Sequence, residues 1–229
     1  SGAGLRVGSS VTHRTLARDP ATARAVPALA QAAATVGGWQ TQAVGTVGGN
    51  VCNASPAADT VPPLLTAAAK VVLASRTGER TVDLDQFITG RRQTTRRPDE
   101  LLTALDLEAL PPRGAEVYLK VGPRRAMEVA LVGLAVRLVL SEDGRTMTGV
   151  RIAACAVAPQ PFRSTAAEAI LEGSAPDHDT IEAAGQALAA DADPIDDARA
   201  SARYRRRVLA PLLGRAIGQC LDVAREQIA

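Results

Sequence analysis

Two adjacent glycines, Gly48 and Gly49, precede Asn50 in the run "GTVGGNVCNASPAAD" (residues 45–59), which closes on Asp59. Glycines let a backbone come close to a ligand and leave amide N–H groups free to meet phosphate oxygens. The segment after Pro56 could offer a helix N-terminus to the same anion. Asp59 could then accept a hydrogen bond from a sugar or ribityl hydroxyl. The run is neither the Rossmann G-x-G-x-x-G nor a P-loop. On pattern alone the plainer reading is preferred: a loop with a glycine turn, and an Asp that caps a helix.

The other chemistry-bearing residues are sparse. Cys52, Cys155 and Cys220 lie far apart, with no Cys-x-x-Cys, so neither a zinc site nor an iron–sulfur motif is written here. An odd, scattered count fits reduced cytosolic thiols. Cys52 lacks a partner and reads as a small buried filler. His13 and His178 are isolated, and His13 reads as a surface residue at a helix start. Lys70 and Lys120 are the only lysines among 26 basic residues. Without further context Lys120 is a surface cation at a strand end. Arg96-Arg97 and the "RYRRR" of residues 203–207 read as solvated. With 24 acidic residues the net charge is only +2, which gives no reason to expect nucleic acid or an anionic membrane. No apolar run approaches the ~20 residues that span a bilayer.

The elements that must hold these residues follow from pattern. Aliphatic residues dominate the 46% hydrophobic content, aromatics being 2%, so the core is aliphatic. "GLRVG" begins as a strand and "SVTHRTLAR" offers a Ser or Thr cap into a short helix. "AVPALAQAAATVG" is an alanine-rich helix stopped by Gly37-Gly38. Residues 40–59 read as a loop or short strand, and "TVPPLLTAAA" resumes a short helix. "KVVLAS" and "RTVDL" flank a hairpin turn. "DQFITGRRQTTRRPDE" reads as a surface loop and "LLTALDLEAL" as a strand. "PPRG" (residues 111–114) marks a boundary. Beyond it come valine-rich strands around "SEDG", then three helices, the last interrupted or bent at Pro211. Strands followed by helices give an α+β fold.

Several of these segments carry a resemblance. "TVGGNVCNASPAADTVPPLLTAAAKVVLAS" resembles the second flavin-binding segment of the FAD-binding, or medium, subunits of molybdenum hydroxylases of the carbon monoxide dehydrogenase and xanthine dehydrogenase type. "LDQFITGRRQTTRRPDELLTAL", "YLKVGPRRAMEVALVGLAVRL", "VRIAACAVAPQPFRSTAAEAILEG" and "DDARASARYRRRVLAPLLGRA" resemble later signatures of that family, in order. The resemblance implies an FAD-binding PCMH-type domain over residues 1–112, and a small domain of three antiparallel strands with packed helices over 113–229. It implies that Thr46, Val47, Gly48, Gly49 and Asn50 cradle the FAD pyrophosphate and that Asp59 binds flavin hydroxyls. Leu102 matches a position whose backbone contacts the flavin, and Lys120 a lysine near its ring, where a cation would stabilise the reduced anion. The loop Val121–Met127, with Arg124-Arg125, passes near the flavin in that family.

The implied function is electron transfer through FAD in a cytoplasmic hetero-oligomer, a dimer of heterotrimers. A molybdopterin-containing large subunit would oxidise the substrate, and a small subunit with [2Fe–2S] clusters would deliver electrons to this flavin for an external acceptor. No residue here is expected to do acid–base catalysis on the organic substrate, and no nucleic acid or membrane insertion is expected. Two departures stand out. The family's first flavin segment, an Ala-Gly-Gly-Thr-type loop, does not occur in these residues, and the expectations left open are that it is lost, cleaved or placed on another chain. Where the family commonly reads Gln-Ile-Arg-Asn-x-Gly, this chain has "QTQAVG", with Gln40 retained and Thr41, Gln42 and Ala43 substituted. The alternative reading is therefore a non-flavin scaffold or interaction subunit derived from this family.

Overall fold

A computed structural model describes residues 4–124 and 127–227. The first half opens on β1 (Leu5–Gly8) and continues through six short helices. These are α1 (His13–Leu16), α2 (Pro20–Ala25), α3 (Pro27–Thr35), α4 (Trp39–Val44), α5 (Val47–Asn53) and α6 (Val61–Thr66). Next come β2 (Lys70–Ser75), β3 (Gly78–Asp83), α7 (Leu84–Phe87), a small hairpin of β4 (Ile88–Gly90) and β5 (Gln93–Thr94), and β6 (Leu101–Leu107). The second half holds β7 (Gly114–Val121), β8 (Val132–Leu140), β9 (Met147–Cys155) and a two-residue β10 (Phe162–Arg163). Three helices close it: α8 (Thr165–Leu171), α9 (His178–Asp191) and α10 (Ala202–Glu226).

The strands form two antiparallel four-stranded sheets, ordered β1-β6-β2-β3 and β10-β9-β8-β7. This is the α+β architecture expected. The helix starts follow local chemistry: Thr12, Asp19, Thr46, Ser164, Asp177 and Ser201 each accept an N–H of the first turn through their side chains. Gly37, at φ +52°, sits just past the end of α3, where a side chain would be strained.

Three local expectations are corrected. Residues 39–53 are two helices rather than loop, because the Thr46 hydroxyl caps α5 and tolerates the glycines inside it. Residues 85–100 lie at the surface as expected but are not plain loop: they hold the end of α7 and the β4–β5 hairpin, anchored by the fully buried Phe87 and by the buried Glu100, which takes a two-point ion pair from Arg80. α10 runs unbroken through Pro211, whose flanking residues Leu209, Leu212 and Leu213 are buried against the sheet. The helix α2, started by the Asp19 cap and Pro20, had no expectation attached.

The second sheet is covered on both sides. Helices α8 to α10 pack on one face, while α3 and α6 from the first half pack on the other. That explains why β8 reads "VGLAVRLVL" without alternation, eight of its nine residues being buried. β7 divides its side chains between the faces. Ala115 and Val117 join the large aliphatic cluster under α10, with Leu119 and Val121 packed against it. Glu116, Tyr118 and Lys120, two apart and so on the opposite face, point toward α3.

Candidate functional site: a cleft between the two halves

A cleft of about 510 Å³ opens between the halves. Its walls are the end of α3 with Gly37 and Gly38, the turn from Asn50 to Asp59, and the loop from Pro123 to Val129. The polar residues that line it are Thr41, Asn50, Asn53, Ser55, Asp59, Arg124, Glu128 and Arg199. The volume lies within the range of small-molecule sites, and a few convergent polar groups on a preformed wall are their usual equipment.

Asp59 is the centre of the polar wall. It follows α5, is 5% exposed, and is held from both sides. Tyr118 Oη donates to its Oδ1 at 2.7 Å and Lys120 Nζ to its Oδ2 at 2.9 Å. Burial pushes the Asp59 carboxyl above the usual carboxylate range, while Lys120 and the Tyr118 hydroxyl pull it back. Burial raises the Tyr118 phenol and the neighbouring Cys155 thiol as well, so neither ionises near neutrality. Each carboxylate oxygen has two lone-pair sites. Asp59 therefore keeps acceptor capacity for hydroxyls in the cleft.

Lys120 is no surface cation: its side chain is 6% exposed. Its ammonium donates to Asp59, to the Thr35 carbonyl at 3.0 Å and to the Glu128 carbonyl at 3.2 Å. Those three acceptors belong to the three walls of the cleft, and they use all three donors of the ammonium. The loop behind Lys120 also folds on itself. Glu128 accepts the Arg124 N–H at 2.7 Å, Arg124 Nη2 donates to the Met127 carbonyl, and Met127 N–H reaches the Gly37 carbonyl. Arg125 lies outside the described residues.

The glycine turn behaves differently from the expectation. The N–H groups of the first turn of α5 have partners within the chain. Val47 donates to Val11 O, Gly48 to Ser9 O, Gly49 to Thr46 Oγ1 and Asn50 to Thr46 O. None is left over for a phosphate. A Cβ on Gly48 would lie 2.6 Å from Ser9 Cβ and 2.8 Å from its carbonyl oxygen, so this glycine lets α5 lie against the turn after β1. A Cβ on Gly49 would meet only Thr46 Oγ1, at 3.1 Å, and Gly49 is exposed. Close approach by an outside group is therefore possible over Gly49 and not over Gly48.

Of the eight expected site residues, Asn50 and Asp59 line the cleft, and Lys120 stands one bond behind Asp59. Asn50 is linked to the same wall, accepting from the Thr60 hydroxyl at 2.7 Å. Thr46, Val47, Gly48 and Gly49 form the cap and first turn of α5, beside the cleft. Leu102 lies on β6, just past the point where the β1 ladder ends at Ala104, and does not line the cleft. Residues not foreseen include Tyr118 on Asp59, and Glu128 in the loop. The readable signal was polar residues at 116, 118 and 120 in a strand otherwise bracketed by apolar ones.

Three plain readings are also corrected. His13 is 2% exposed rather than on the surface, packed beside Gly45, with its Nδ1 lacking a partner and its pKa lowered by burial. Arg205 is 3% exposed and donates to the carbonyls of Leu131 and Ala156 and to Asp197, unlike its exposed neighbours in "RYRRR". Cys52 is half-buried. Among the described residues no cluster of His, Cys, Asp and Glu could hold a metal ion, and no helix is long and apolar enough to cross a membrane.

Comparison with known proteins shows the family and the fold. The pattern described as the FAD binding domain in molybdopterin dehydrogenase matches residues 1–107, and that of the CO dehydrogenase flavoprotein C-terminal domain matches residues 117–220. The chain belongs to the family of FAD-binding subunits of molybdopterin-dependent dehydrogenases. The xanthine dehydrogenase FAD-binding subunit of Escherichia coli O157:H7 is 31% identical, over 96% of this chain and 75% of that protein. The structure of carbon monoxide dehydrogenase from Hydrogenophaga pseudoflava superposes with a TM-score of 0.91 at 29% identity, covering 96% of this chain and 76% of that one. Quinoline 2-oxidoreductase from Pseudomonas putida 86 gives a TM-score of 0.89 at 26% identity, over 98% and 77%. The chain is thus an FAD-binding flavoprotein of oxidoreductase type.

Proposed function

We propose that this chain holds FAD in the cleft between its halves and serves as the electron-transfer subunit of a molybdenum-dependent hydroxylase or dehydrogenase. FAD supplies the exchange between one-electron and two-electron chemistry. The observation that carries the reading is Asp59. It is a carboxylate fixed at both oxygens on the wall of a polar cleft, in a chain whose relatives are FAD-binding subunits. Asp59 accepts from flavin hydroxyls. Thr46, Gly49 and Asn50 face the pyrophosphate through a hydroxyl, an open backbone surface and a side-chain amide. Val47 and Gly48 hold that turn in place, and the Leu102 backbone would meet only a part of the flavin that extends beyond the cleft. Lys120 acts as a fixed positive charge behind Asp59 and ties the three walls together.

The partners proposed are a molybdopterin-containing large subunit and a [2Fe–2S] small subunit, assembled as a dimer of heterotrimers. The chain divides near residue 112 into an FAD-binding unit and a C-terminal unit. Three free, widely separated cysteines fit the reducing cytoplasm as the compartment. The test is FAD content and affinity of the purified complex with and without Asp59→Asn. The parent should absorb at about 450 nm as flavoproteins do, and the variant should lose flavin on dilution. A parent complex without flavin, or a variant that retains it fully, would refute the reading.

A further inference from the structure

Beyond the groups that face the cleft, one buried hydroxyl, that of Tyr118, donates to Asp59. Tyr118 is 5% exposed, and its ring packs with Ala28, Ala32 and Ala135 between α3 and the second sheet. Its backbone N–H is fixed by the Gln31 side chain at 2.8 Å, and two residues earlier Glu116 Oε1 accepts the Ala28 N–H at 3.0 Å. Together with Lys120 on the Thr35 carbonyl, these contacts seat one face of β7 along the length of α3. The hydroxyl reaches Asp59 past Gly133 on β8. A Cβ at Gly133 would collide with Tyr118 Oη and with Cys155 Sγ. Nothing about a strand interior favours glycine. Its presence between Tyr118 and Cys155 is explained by the space the hydroxyl needs.

We infer that Tyr118 is a positioning residue for Asp59, and that Gly133 exists to let its hydroxyl through. With Oδ1 on Tyr118 and Oδ2 on Lys120, the carboxylate cannot rotate, and its remaining lone pairs are presented to the cleft. The hydroxyl also favours the ionised carboxylate, since it donates to the charged form. The other groups facing Asp59 are Lys120, Glu128, Cys155 and, across the cleft, Arg124 and Arg199. Burial raises the carboxyl, Lys120 and then the phenol pull it back, and Glu128 opposes them, so loss of the phenol shifts the balance further toward the protonated form.

The inference rests on the proposed FAD cleft, and the experiment separates the two. FAD affinity of the flavin-stripped and reloaded complex is measured from pH 5.5 to 8.5 for the parent, Tyr118→Phe, Asp59→Asn and the double variant. Tyr118→Phe should bind FAD about tenfold more weakly at the acid end, as expected for loss of a hydrogen bond to a charged group. The deficit should shrink as pH rises and the carboxyl ionises unaided. Adding Tyr118→Phe to Asp59→Asn should change little. Gly133→Ala, which displaces the hydroxyl without removing it, should give the same pH-dependent deficit, and it carries the test if Tyr118→Phe does not fold. A Tyr118→Phe profile parallel to the parent, whether unchanged or uniformly lowered, would overturn the positioning role while leaving the cleft standing. Parent-like binding by Asp59→Asn would instead overturn the cleft assignment.

Discussion

The capped helix α5, from Thr46 to Asn53, borders the cleft and the strand β7 stands behind its Asp59 wall, and they contribute in opposite ways. The first turn of α5 carries the recognisable motif, yet its amides are bonded within the chain and Gly48 is packed on Ser9. β7 carries no motif, yet its Tyr118 and Lys120 hold the one carboxylate that anchors the wall. The difference teaches that a glycine pair can mark a site by shaping it. The groups that set its charge come from a strand some 60 residues later in the chain.

The largest effect should come from β7. Lys120→Met leaves Asp59 buried without its ammonium and should cost about 3–5 kcal/mol of unfolding free energy, as breaking a buried pair does. Lys120→Met with Asp59→Asn should recover part of that loss. Denaturant unfolding of both variants decides whether the pair is the keystone of this wall. In the assembled complex the flavin potential of Lys120→Met should also fall by some tens of millivolts, about 30 mV for each ~1.4 kcal/mol of lost electrostatic support.

Next is Glu116, at the other end of the same face. It is buried, accepts from Ala28 N–H, and sits 3.4 Å from Arg137, but burial outweighs that neighbour and its carboxyl is pushed up to about 7. A carboxyl raised in the folded state stabilises below the unfolded value and loses that contribution as pH rises through the folded one. The melting temperature should therefore drop between about pH 5 and 8, by the equivalent of at most about 3 kcal/mol. Glu116→Gln should flatten the slope. An equally steep slope in the variant would remove Glu116 from the account.

The turn should give smaller and divided effects. Gly48→Ala forces a Cβ against Ser9 and should destabilise by about 1–3 kcal/mol, as overpacking does. Gly49→Ala should stay within about 0.5 kcal/mol of the parent, having only Thr46 Oγ1 nearby. Gly49→Val should leave the second half folded and deplete bound FAD, because it fills the open approach over the turn. Thermal melts paired with flavin content separate the packing glycine from the approach glycine. Equal behaviour of the two would erase the distinction.

Much of this fold was legible because its signals are local. Ser164 and Gly173 bracket α8, Gly37 ends α3, and the valine-rich runs on either side of "SEDG" became β8 and β9. What stayed hidden depends on distant neighbours. Residues 39–53 look like loop because glycine suppresses helix propensity, and it is the Thr46 cap and the packing on Ser9 that stabilise α5. His13 and Arg205 look like surface residues because burial of a polar side chain is set by what folds over it. Asp59 was legible through its motif. Its pairing with Tyr118 and Lys120 was not, since the two sides meet only when the second sheet docks on α3.

A structure of the flavin-loaded protein tests the central claim most directly. FAD should lie in the cleft between α3, the Asn50–Asp59 segment and the residues from Pro123 to Val129 that line it. A flavin hydroxyl should stand within about 2.6–3.2 Å of Asp59, with Tyr118 and Lys120 still holding that carboxylate. FAD bound elsewhere, with Asp59 contacting only Tyr118 and Lys120, would contradict the claim.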